Sequence, residues 1–130
     1  MVEDRTTDGK RIAQLLSSEL SGRDRGPLAA VSVVDADPDA EPTEGGTVAY
    51  GVAVGDERVG SVWLYPGAAE CEVVLEGGAS ALRETVRGPD LTVVQPDPAA
   101  EGEVVLRIES GAAVKRAVDA VVAGIEAADR

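Results

Sequence analysis

The sequence predicts an α+β fold: an antiparallel sheet with helices packed on it, in the order α-β-β-β-β-α-β-β-α. Three observations predict it. Apolar residues recur at helical spacing near both ends of the chain, as Ile12, Leu15, Leu16 and Leu20 and again as Val114, Val118, Val121, Val122 and Ile125. Between positions 47 and 76 the apolar period falls to two, the repeat of a strand whose side chains alternate between faces. Turn pairs, Gly55-Asp56, Pro66-Gly67, Gly77-Gly78 and Gly88-Pro89, divide the segments. A chain of 130 residues suits one domain spanning 1–130, large enough to fold without a disulfide or a metal.

Each element has its own signal. Thr6 or Thr7 followed by Asp8 opens a first helix that Ser21-Gly22 ends. After a linker from Arg23 to Pro27, the apolar run Leu28 to Val34 reads as a buried strand. An acidic loop, Asp35 to Gly46, follows. Thr47 to Val54 and Glu57 to Tyr65 form a hairpin closed by Gly55-Asp56. Ala69 to Glu76 is a fourth strand with Cys71, Val73 and Leu75 on one face and Glu70, Glu72, Val74 and Glu76 on the other. Ala79 to Arg87 is a short helix with Leu82 and Val86 inward. Leu91 to Gln95 is a strand, 96–102 a loop, and Glu103 to Glu109 a strand with Val104, Leu106 and Ile108 on one face. Ser110 caps the last helix.

Charge is the unusual part of the composition. There are 24 acidic and 12 basic residues, a net charge of −12, with no His and no Phe. Lys10 and Lys115 are the lysines, and the apolar mass is Val, Ala and Leu. Such a chain suits concentrated salt: at about 1 M the Debye length is about 3 Å, so the self-repulsion of the acids is screened. The composition resembles that of proteins from extremely halophilic archaea. The opening, MVEDRTTDGKRIAQLLSSEL, resembles the start of small uncharacterised haloarchaeal acidic proteins. The resemblance implies a salt-rich cytoplasm and brings no activity with it. The element order also resembles that of the bacterial secretion chaperones, as a topological analogy.

Several chemistries are excluded or disfavoured. Without histidine there is no Ser-His-Asp triad, Cys-His dyad or histidine metal site. One cysteine, Cys71, excludes an intrachain disulfide and is too few for a zinc site, and it fits a reducing cytoplasm. On a buried strand face it reads as a structural thiol. Read from Asp35, the acidic loop matches an EF-hand at positions 1, 3 and 5, but position 6 is Ala40 and position 12 is Gly46. The missing glycine and glutamate make it a solvated acidic loop. Phosphate-binding glycine motifs are absent. No apolar run is long enough to cross a membrane, and no apolar stretch follows a basic start, so neither a membrane span nor a secretory signal is expected. No catalytic residue, cofactor or metal is nominated.

Two surfaces remain as candidates. Arg83 and Arg87, one turn apart on the predicted helix, join Lys115 and Arg116 as candidate anion-binding groups, their bland alternative being pairing with nearby acids. With Lys10 and Arg11, the Lys115-Arg116 pair is also the basis of a nucleic-acid reading, which the net charge disfavours. In a regular hairpin Val48, Tyr50, Val52, Val59, Trp63 and Tyr65 share one face, and this includes every aromatic residue. The opposite face is mostly small, so helices, chiefly the last, are expected over it. Val48, Tyr50, Val52, Trp63 and Tyr65 then form a candidate interaction surface for a protein partner or a second copy. The rival arrangement puts the first helix over the aromatic face. The function expected is a non-enzymatic cytoplasmic interaction domain; a nucleic-acid-associated regulator and a histidine-free enzyme using carboxylates are the alternatives.

Overall fold

The computed structural model describes residues 8–21, 31–94 and 102–128. Thr6 and Thr7, the linker 23–27, residues 28–30 and most of the loop 96–102 lie outside the described residues. Three helices and six strands follow the expected order: α1 (Gly9–Ser21), β1 (Val31–Val34), β2 (Thr47–Val54), β3 (Glu57–Tyr65), β4 (Ala68–Val74), α2 (Ala79–Thr85), β5 (Leu91–Val94), β6 (Glu103–Ile108) and α3 (Val114–Ala128). The strands form one sheet, ordered β1-β2-β3-β4-β6-β5, in which every neighbouring pair is antiparallel. The chain crosses from β4 through α2 to the edge strand β5 and returns as β6 between them.

The helices share one face of this sheet. α1 packs over β1, β3 and β4 and against α3, while α2 and α3 pack on each other and on β6. Beneath them, one register row runs Tyr50, Val62, Cys71, Leu106, Val93 across five strands. Its next row runs Val33, Val52, Gly60, Val73, Val104. Ile12, Leu16 and Leu20 of α1, Leu82 of α2, and Leu64, Leu106 and Ile108 of the sheet are fully enclosed between the layers. Fully burying a side chain of this size contributes roughly 1.5–3 kcal/mol. Aliphatic residues therefore build the core without phenylalanine.

Three local expectations change. The backbone N–H of Lys10 donates to Asp8 Oδ1 at 3.0 Å, so Asp8 caps α1. Ser110 occupies the position before the last helix, but its buried hydroxyl makes no hydrogen bond. A single 3-10 turn, Gly111–Ala113, intervenes, and the Ser110 carbonyl accepts the Ala113 N–H instead. α2 ends at Thr85, with Val86 already extended, so the predicted helix over 79–87 is shorter by two residues.

The largest change lies inside the hairpin. Val54 pairs with Glu57 and Val48 with Trp63, as in a regular two-residue hairpin. Between them Tyr50 pairs with Val62 rather than Ser61, and Val52 with Gly60 rather than Val59. Ala49 in β2 and Val59 in β3 are the extra residues of two bulges that cancel one another. The segment between the bulges is thereby turned over. Tyr50 and Val52 face the helices, and Gly51 takes the opposite side. The first helix, not the last, covers this part of the sheet.

Candidate functional site

Among the described residues no helix packs on the other face of the sheet. Two register rows cross it: Val48, Trp63, Glu70, Arg107, Thr92, and Val34, Gly51, Ser61, Glu72, Val105, Val94. Tyr65 lies beyond Trp63 on the same side, since alternate residues of a strand share a face. Apolar and charged side chains are mixed here, in contrast to the rows under the helices.

Two arginines organise this face. Arg107 Nη1 donates to Glu70 Oε2 at 2.9 Å, and its Nε lies 3.8 Å from Glu109 Oε2. The same guanidinium lies 5.7 Å from the centroid of the Tyr65 ring. Partial burial raises the Tyr65 hydroxyl pKa, Glu70 adds to the rise, and Arg107 opposes it. At the other end Arg58 Nη1 donates to Asp35 Oδ2 at 3.0 Å and Nη2 to Ser61 Oγ at 2.9 Å. Its guanidinium lies over Gly51, where a Cβ would come within 2.7 Å of it. Glycine there lets the arginine cross from β3 towards β1. Gly46, with φ +88°, plays the matching part beneath the Tyr65 hydroxyl, where a Cβ would approach to 2.6 Å. Trp63, paired across the sheet with Glu70, is half-buried, and its enclosed Nε1–H has no hydrogen-bond partner.

The predicted aromatic surface is thus divided. Val48, Trp63 and Tyr65 lie on the helix-free face, and Val48 is 37% exposed. Tyr50 and Val52 do not belong with them. The Tyr50 hydroxyl donates to the carbonyl of Ala13 in α1 at 2.7 Å, and burial raises its pKa well above the usual tyrosine range. The bulges explain the division, because burying Tyr50 is favourable when its hydroxyl has a helix carbonyl to bond. Sequence reasoning missed Arg58, Ser61, Glu70 and Arg107. The charge alternation of β4 and β6 contains a signal for the last two, but only pairing β4 with β6 sets Glu70 opposite Arg107.

The candidate anion groups do not act as one cluster. Arg83 directs Nη2 to the Glu103 carbonyl at 3.4 Å, and its buried Nε has no partner. Arg116 Nη1 donates to the Arg87 carbonyl at 2.7 Å. Arg87 lies beyond the end of α2, so it does not share a helix face with Arg83, and Lys115 is exposed on α3. Lys10 pairs with Glu41 at 3.0 Å.

The acidic loop turns its carboxylates in different directions. Asp35 pairs with Arg58, Asp37 Oδ1 accepts the Asp39 N–H at 2.9 Å, and Glu41 meets Lys10. Ala40, at the position an EF-hand gives to glycine, is buried. Among the described residues no three Asp, Glu or Cys gather as metal ligands. Clefts open on two sides of the described residues. One of about 360 Å³ lies between α1 and this loop, and one of about 650 Å³ lies between the β2–β3 turn, the end of β4 and the end of α3. The larger is lined by Glu57, Arg58 and Glu76 together with Val59, Val74 and Ile125. Cys71 is enclosed, and burial pushes its thiol pKa up to about 12, the Glu72 charge adding to the rise. No helix among the described residues is long and apolar enough to cross a membrane.

Residues 1–130 match the model of a family of unknown function, DUF7993, and the chain belongs to that family. No curated protein and no solved structure matches it.

Proposed function

We propose that this member of DUF7993 is a non-enzymatic interaction domain of a salt-rich, haloarchaeal cytoplasm, and that a second copy of the chain docks on its helix-free sheet face around Trp63. The observation that carries the reading is charge balance. The chain has two acids for each base, yet on this face Arg58 and Arg107 each hold a carboxylate. Two equally acidic copies meet with less repulsion where part of their charge is already paired. Trp63, Tyr65 and Arg107 are of the residue types that anchor interfaces, and Val48 offers exposed apolar surface beside them.

Light scattering in molar salt tests the proposal. The natural chain runs as a dimer, and Val48→Glu, which adds a charge to the face without emptying the core, runs as a monomer. A natural chain that stays monomeric across the accessible concentration range sinks it. The salt-rich setting is supported by the net charge and by the opening twenty residues. It requires a melting temperature that climbs with salt, and a flat curve removes it. The engagement of Lys10 with Glu41 and of Arg116 with a main-chain carbonyl weighs against a phosphate-binding role.

A further inference from the structure

β3 and β4 separate at one end of the sheet. Their ladder ends at the pair Gly60 and Val73, yet both strands run on. Beyond it β3 follows β2, with Arg58 opposite Ala53 and Glu57 opposite Val54. β4 follows β6, with Val74 opposite Glu103, and the Leu75 N–H then donates to the Gly102 carbonyl at 2.9 Å. The cleft of about 650 Å³ lies in this fork, with Ile125 and Ala128 of α3 also in its lining. Successive residues of an antiparallel strand direct their main-chain groups to opposite neighbours. Residues 57–59 of β3 therefore turn main-chain hydrogen-bonding groups towards a side on which no described strand pairs with them. We infer that the fork binds a small aliphatic primary amine, its ammonium at Glu57 and Glu76 and its alkyl body on Val59, Val74 and Ile125.

Volume, wall and charge select that chemistry. The volume falls within the range of about 300–1,000 Å³ usual for small-molecule sites. Val59, Val74, Leu75 and Ile125 give the cleft an aliphatic wall, and Val74, at 42%, is the most exposed large apolar side chain among the described residues. Glu57 and Glu76 are exposed and have no ion pair among the described residues. Arg58, the other charged group of the lining, is already held by Asp35 and Ser61. The unpaired charge of the cleft is therefore negative, which repels an acid and attracts a cation. An inorganic cation would leave the wall unused. An ammonium group donates enough hydrogen bonds for both carboxylates and a main-chain carbonyl of the strand edge. At molar salt the ionic part is screened, so the wall supplies much of the affinity. The amine site needs no second copy of the chain and stands apart from docking around Trp63.

Titration of the full chain in molar potassium chloride, followed by amide chemical shifts, tests this with hexylammonium, hexanol, hexanoate and ethylammonium. Hexylammonium should move the amides of Val59, Val74 and Ile125 and bind at least about tenfold more tightly than hexanoate. Ethylammonium, which keeps the charge and loses most of the alkyl body, should bind at least about tenfold more weakly than hexylammonium. Glu57→Gln combined with Glu76→Gln should bring hexylammonium to within about twofold of hexanol, with the amides of Cys71 and Leu106 unmoved as the sign of an intact sheet. Hexanoate or ethylammonium binding as tightly as hexylammonium overturns the inference. So does an unchanged hexylammonium affinity in the Glu57→Gln, Glu76→Gln chain. Arg130 stands two positions past Ala128 in the sequence. Hexylammonium binding that appears only in an Arg130→Gln chain would assign the fork to the chain's own arginine and overturn the inference as well.

Discussion

Two rows of the sheet, one residue apart along four strands and two apart across the bulge in β2, differ in nearly everything but backbone. The row Tyr50, Val62, Cys71, Leu106, Val93 lies under the helices; the row Val48, Trp63, Glu70, Arg107, Thr92 lies on the free side. In the first, Tyr50 bonds its hydroxyl to a helix carbonyl and the other groups are apolar. In the second, Arg107 pairs with Glu70 and the indole N–H of Trp63 stays unpartnered. The difference teaches where stability sits in this fold. The covered row holds the layers together, and the free row carries the charged pair and the half-buried indole.

Substitutions should separate the rows by size of effect. Leu106→Ala empties a fully buried site and should cost about 2–5 kcal/mol in denaturant unfolding at high salt. An equal loss from Thr92→Ala, in the free row, would erase the distinction. Cys71 gives a pH signature to the covered row. Its thiol ionises near 9.0 by its ordinary value and near 12 when folded. Between those values the unfolded state has released a proton that the folded state keeps, so stability falls as pH rises, by about 1.4 kcal/mol per pH unit from this group. Cys71→Ala should flatten that slope between pH 9 and 10, read from unfolding curves at each pH. Tyr50→Phe removes one buried hydrogen bond and should cost about 1 kcal/mol. Glu70→Gln should cost less than about 1 kcal/mol, because its pair with Arg107 is partly open to solvent and screened by salt. A larger loss there than at Tyr50 would mean that the free face carries structural weight.

The legible part of the fold was substantial, and its limits are local. Alternation in β3, β4 and β6 and the Gly55-Asp56 turn follow from the sequence directly, and both hairpin strands have the predicted bounds. The bulges at Ala49 and Val59 carry no composition signal, so strict alternation puts Tyr50 and Val52 on the wrong face. Helical spacing puts Arg83 and Arg87 on one helix, but α2 ends between them at Thr85. Of the predicted interaction surface, Val48, Trp63 and Tyr65 remain together. The charged groups that join them come from β4 and β6, and that pairing is non-local.

What the sequence determined by itself is periodicity and solvent character. The helix stripes, the strand alternation and the excess of acids are properties of neighbouring residues and of composition, readable before any contact forms. Only the tertiary structure decided which side of the sheet the helices cover and how the middle of the hairpin turns. Those choices depend on partners far along the chain. Tyr50 turns inward because the Ala13 carbonyl of α1 waits there for its hydroxyl, and Trp63, with no such acceptor, stays on the other side.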